Sequence, residues 1–204
     1  TIKLAGNGGN KGLTISQTGQ TDVATLAARL LPEGQVINGI EGRLPYGATL
    51  DFSSGVPARL LINASSAGLW SDWPTPLERE AGPEERIEAL VRWPDRVQIE
   101  GRWGERLSVA LEWRQQGFFN GQVVVGGIGA YLPEEAGLVV RANVDRFVPG
   151  EWQSWFDQIM ANSGAGGRGT GSQSAGSGFD WLTRVEVSME ELVLGDHALP
   201  GVTA

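Results

Sequence analysis

The sequence predicts a mainly β protein: an antiparallel sheet with one apolar and one solvated face, interrupted by two short helices. Three observations carry this. Glycine is abundant, 30 of 204 residues, which suits a chain with many tight turns. Apolar and polar residues alternate in several runs, and a period of two puts each set on one side of a strand. Turn signals separate neighbouring runs about ten residues apart, the spacing of a hairpin meander.

The elements follow in chain order. Asp22 to Leu31 places Val23, Leu26, Ala27, Leu30 and Leu31 at helical spacing, with Thr21 or Asp22 as N-cap and Pro32 as the stop. Pro45 and Pro57 fit strand starts or edges, because proline cannot donate to a ladder. Leu60-Leu61-Ile62 and Val123-Val124-Val125 are continuous apolar runs, as in strands covered on both sides. Val97, Ile99 and Trp103 oppose Gln98, Glu100 and Arg102. Leu107, Val109, Leu111 and Trp113 oppose Arg106, Ser108, Glu112 and Arg114. Trp93-Pro94-Asp95, Trp103-Gly104-Glu105 and Gln116-Gly117 supply the turns around them. Leu138, Val140, Ala142 and Val144 alternate with Arg141, Asn143 and Asp145, and Val185, Val187 and Met189 with Arg184, Glu186, Ser188 and Glu190. Between these last two runs, Glu151 to Ala161 carries Trp152, Trp155, Phe156, Ile159 and Met160 in a helical stripe, with Pro149 just before it. Ser163 to Gly178 is Gly- and Ser-rich and reads as a flexible loop. Its Gly-Arg-Gly-Thr-Gly-Ser lacks the Lys-Ser/Thr ending of a phosphate-binding loop and follows a helix rather than a strand.

Composition narrows the function. The formal net charge is −8, which argues against nucleic acid and against charge-driven attachment to anionic lipid. With no Cys and one His, thiolate or multi-His metal sites and a catalytic Cys are excluded. His197, in a turn-like context near the C-terminus, reads as a surface residue. No stretch approaches the ~18 apolar residues of a membrane span. Thr1-Ile2-Lys3-Leu4-Ala5 reads like the middle of a strand, so the chain is expected to be a section of a longer one. Glu78, Glu80, Glu84, Glu85 and Glu88, interleaved with Arg79 and Arg86, read as a solvated loop face.

One stretch is distinctive: Leu61-Ile62-Asn63-Ala64-Ser65-Ser66-Ala67-Gly68-Leu69-Trp70-Ser71-Asp72-Trp73-Pro74-Thr75-Pro76-Leu77. It resembles the "SDL-x-GL…LP-x-PL-x-K" segment of the large AsmA-like proteins of the YhdP type. Ala24 to Leu31 followed by Ile40-Glu41-Gly42-Arg43-Leu44-Pro45-Tyr46 resembles the short helix and strand start that precede it there. Gly137 to Phe147 followed by Trp152 resembles the family's "GL-x-L-x-G-x-x-x-x-LD…W" segment, and the likeness runs on through Val185 to Leu194. Trp73 stands where Leu is usual, Glu78-Arg79 where Gly-Lys is commoner, and Ala142 where Gly is frequent.

The resemblance implies an AsmA-like groove or half-pipe, a β-sheet curled around an apolar inner wall. It implies a periplasmic section of a conduit that carries phospholipid between inner and outer membranes and supports outer-membrane integrity, in a parent protein anchored in the inner membrane. Its partners would be phospholipid acyl chains and neighbouring β-segments of the parent chain, with no catalytic residue, metal or cofactor. The candidate lipid-contacting residues come from the alternating faces: Leu60, Ile62, Val97, Ile99, Leu107, Val109, Leu111, Trp113, Leu138, Val140, Val185 and Val187. Two other readings fit the residues. Trp93, Trp103 and Trp113, ten residues apart, suit a stacked ladder in a core, the sugar platform of a carbohydrate-binding β-sandwich, or the interfacial lip of a lipid groove. Alternatively the apolar faces close a core, and the chain is a structural segment whose sheet edges pair with neighbouring β units.

Overall fold

The computed structural model describes residues 2–7, 12–25, 39–79, 84–93, 95–114, 119–155, 182–195 and 197–203. Its strands are β1 (Ile2–Asn7), β2 (Gly12–Asp22), β3 (Ile40–Ser53), β4 (Ala58–Ser65), β5 (Leu69–Ser71), β6 (Arg86–Trp93), β7 (Arg96–Trp103), β8 (Leu107–Arg114), β9 (Phe119–Val125), β10 (Gly137–Phe147), β11 (Leu182–Leu194) and β12 (His197–Thr203). They form one sheet in the order β1-β2-β3-β4-β6-β7-β8-β9-β10-β11-β12, with β5 paired to the start of β3. The sheet does not close into a barrel. The mainly β class and the β6–β9 hairpin meander match the sequence reading.

The sheet is mixed, not wholly antiparallel. β10 runs parallel to both β9 and β11. Alternation is blind to this, because the side-chain period is two in either pairing. A parallel neighbour needs a connection that returns along the strand. Between β9 and β10, residues 126–136 return across the polar face. They are pinned there by Ala130 N–H to Ser108 Oγ (3.1 Å), Tyr131 N–H to Gln122 Oε1 (3.1 Å) and Asn120 Nδ2–H to the Pro133 carbonyl (2.6 Å).

The two helical segments begin where the sequence places them, within two residues. Residues 23–25 are helical directly after Asp22, and residues 149–155 form the other helix. The latter starts two residues before Glu151, with Pro149 as its first residue, where a missing N–H has no cost. Residues 26–31 and 156–161 of the expected helices, and the expected loop Ser163–Gly178, lie outside the described residues.

Pro45 corrects an expectation. It is inside the fourteen-residue β3, opposite Gln20 of β2. It is tolerated because β3 changes partner there: residues 40–42 pair with β5 and residues 46–51 with β4. Pro57 does precede a strand, β4.

Candidate functional site

Cross-strand partners point to the same face of a sheet, so the register orders one face into rows. Ala64, Ile87, Trp103, Leu107, Val125, Ala142 and Val187 form the first row. Ala48, Ile62, Ala89, Gly101, Val109, Val123, Val140 and Val185 form the second. Ile15, Leu50, Leu60, Val91, Ile99, Leu111, Gly121 and Leu138 form the third. Leu13 and Phe52 pair in the fourth, which continues with Ala58 and Trp93 and, on β7 and β8, with Val97 and Trp113. All twelve candidate residues lie on this face. The rows also extend it onto β2 and β3, which the sequence reading missed because Ile15 sits among Thr, Ser and Gln.

The first row is covered and the other three are largely open. Residues 66–79 fold back over the strand ends. Leu69 packs with Val23, Leu44 and Trp103, and Leu77 with Val125, Ala142, Val144 and Trp152. Away from this end the face is only partly shielded: Leu60, Ile62, Ile99, Val109, Leu111 and Val140 are half-buried. Val97, Trp113 and Val185 are 38%, 39% and 52% exposed. Leu138 is the exception among the candidates, buried on β10. Among the described residues no second sheet faces the open rows, so the two-sheet core of a sandwich is not formed there.

Two glycines on the face are closely covered by their neighbours. A Cβ on Gly101 would stand 2.8 Å from Val109 Cγ2, and one on Gly121 would stand 2.6 Å from Leu111 Cδ2. The larger neighbour therefore lies over each glycine's backbone. Glycine inside a strand commonly marks such a close approach or bend.

The opposite face is mostly polar and internally paired, with Ala110, Val124 and Val139 its buried apolar residues. Thr14 Oγ1–H donates to Asp51 (2.7 Å), which also accepts from Arg59 (3.0 Å). The Thr14 hydrogen bond, aided by Arg59, holds the Asp51 carboxyl below its usual range. Gln98 and Arg96 meet Glu112, Arg102 and Arg86 meet Glu88, and Arg141 meets Glu186 at 2.6 Å. Leu61 is 42% exposed on this face, so its run is not covered on both sides as expected. Val124 and Val125 are buried on opposite faces, so theirs is.

The tryptophans do not form one ladder. Trp103 is buried in the covered first row, whereas Trp93 and Trp113 flank Val97 at the opposite rim. Strands of eight residues joined by two- or three-residue turns alternate direction, so a ten-residue spacing sends successive tryptophans to opposite ends. The acidic run is not simply a solvated loop either. Arg79 is buried and reaches the Ser66 carbonyl (3.2 Å) and Glu85 (3.4 Å). Arg106 joins Glu85 to the carbonyls of Pro76 and Glu78 (both 2.7 Å). Glu80 lies outside the described residues, and His197 is exposed at the start of β12.

No helix among the described residues is long and apolar enough to cross a membrane. Comparison with known protein families, curated proteins and solved structures finds no match. The likeness to the YhdP type therefore rests on the quoted motifs alone.

Proposed function

We propose that this sheet is a section of a periplasmic lipid conduit whose open apolar rows hold phospholipid acyl chains in transit between two membranes. The observation that carries the reading is the set of aliphatic rows crossing β2 to β9 and reaching β11, left half-exposed while the ion pairs of the strands gather on the other face. A water-exposed face of that extent is costly unless something apolar lies on it. Each acyl methylene moved from water onto such a face gains about 0.8 kcal/mol, so a chain of many methylenes is held without base, metal or nucleotide. The nine strands from β2 to β11 along the sheet, at about 4.8 Å each step, give roughly 38 Å of trough. Membrane anchorage and the ends of the path belong to other parts of the parent chain.

The test is to purify the chain from bacteria without detergent and examine it by native mass spectrometry. Stoichiometric phospholipid, exchangeable for a photo-crosslinkable lipid that labels Leu60, Ile99 or Leu111, is the expected result. A lipid-free protein that also fails to take up the probe from vesicles refutes the reading and leaves a structural segment.

A further inference from the structure

We propose that segment 66–79, the stretch that stands out in the sequence, is a floor that stops acyl chains at the first row and so sets the chain length the face accepts. This rests on the lipid reading above and gives it a polarity: methyl ends at the floor, glycerol end at the Trp93 and Trp113 rim.

The depth of the open face fits. From Val109 in the second row to Trp113 in the fourth is four residues, about 14 Å of strand. A bilayer core of about 30 Å holds two opposed chains, about 15 Å each. Chains aligned with the strands would thus run from floor to rim within one leaflet's thickness. The rim has the residues of a membrane interface, where an amphipathic ring prefers to sit between hydrocarbon and water. Trp113 and Phe52 are 39% and 40% exposed there, and Trp93 meets Phe52 edge-on at 6.5 Å. At the floor end Leu69 and Leu77 are only 2% and 1% exposed, although Trp70 on the same segment is 45% exposed, so the two ends differ in being closed or open rather than in aromatic content.

The floor is also built to stay. Arg43 N–H donates to the Gly68 carbonyl, Asp72 N–H to Gly39 and Ser66 N–H to Glu85. Gly42, at φ +119°, has no room for a Cβ, which would stand on Gly68 O. Arg106 ties both Pro76 and Glu78 to the start of β8, and its guanidinium lies 6.0 Å from the Trp103 ring centre. A loop that merely joined β4 to β6 would need none of these. A stop against which chains end needs to hold its place.

The experiment uses the intact chain and two phospholipids, one with a photoactivatable diazirine at the acyl methyl end and one with it next to the glycerol. The first should label Ile62, Val109, Val123 or the 66–79 segment, and the second Trp93, Val97 or Trp113. A length series should gain about fourfold in affinity per added methylene until the chain reaches the floor, and then level off. Leu69→Ala should move that plateau to a longer chain, and if it fails to fold, the two-probe map on the unaltered chain still decides. Labels that do not separate by probe position, or affinity that keeps rising with length, overturn the floor while leaving lipid binding intact. No lipid binding at all overturns the conduit reading beneath it.

Discussion

Leu111→Asp separates an open face from a closed core. Leu111 is half-buried in the third row, beside Ile99 and over Gly121. Full burial of a leucine side chain contributes about 1.5–3 kcal/mol, so a half-shielded one contributes about 1 kcal/mol. The new carboxylate stays partly in water and so carries only a small desolvation cost, up to about 1 kcal/mol. The expected destabilisation is therefore about 1–2 kcal/mol. Val144→Asp is the contrast: Val144 is 5% exposed within the Leu77 and Trp152 cluster. There the change removes about 2 kcal/mol of burial and places an unpaired charge in a dry site, together about 5 kcal/mol or more. Urea unfolding followed by tryptophan fluorescence reads both. With a slope of about 2–3 kcal/mol/M, Leu111→Asp should lower the midpoint by about 0.5 M and Val144→Asp by about 2 M or to an unfolded chain. Leu111→Asp should also abolish retention of phospholipid. Equal losses in the two variants would mean that the third row is core, and the open-face argument would fall. Val187, although a candidate, packs against the Val125 and Ala142 cluster, so an acidic substitution there tests the core instead.

Three further outcomes follow from the same geometry. Glu85→Gln weakens the contacts to both the buried Arg79 and Arg106 and should cost about 2–3 kcal/mol, against at most about 1 kcal/mol for Glu100→Gln at the exposed Arg92 pair, as read by thermal melting. Asp51 has a lowered pKa in the folded chain, chiefly through Thr14, so its contribution is full above its unfolded value near ~3.9 and is lost as pH falls through the folded value. Thr14→Val should therefore destabilise clearly at pH ~7 and progressively less below pH ~4; an equal loss at both would show that the hydrogen bond does not set the titration. Gly42→Ala, blocked by Gly68 O, should cost more than about 3 kcal/mol, while Gly55→Ala, also at positive φ but with nothing nearby, should cost about 1 kcal/mol in the same melts.

The apolar face was legible because its information is local. Leu107-Ser108-Val109-Ala110-Leu111 declares its own two faces, and so does Val185-Glu186-Val187. Once the register is set, local faces must join, since a one-residue slip would turn a whole strand's apolar set to water. What escaped was everything decided between distant residues. The parallel pairing of β10 depends on residues 126–136 docking on Ser108 and Gln122, and neither partner looks unusual in sequence. The role of Glu85 depends on Arg79 and Arg106 arriving from different segments.

The 66–79 segment joins these two kinds of information. Its Trp73-Pro74-Thr75-Pro76-Leu77 run is conspicuous in the sequence, yet by period it is neither strand nor helix, so no face could be assigned to it. Only the fold gives it one. The segment lies across the first row, so the rows above it have a closed end and an open end. The Trp93 and Trp113 rim marks one end of the strands and the segment closes the other, so the two ends of the face differ. The folded-back segment supplies the closed end, so in the proposed conduit lipid orientation depends on a part of the chain that alternation could not place.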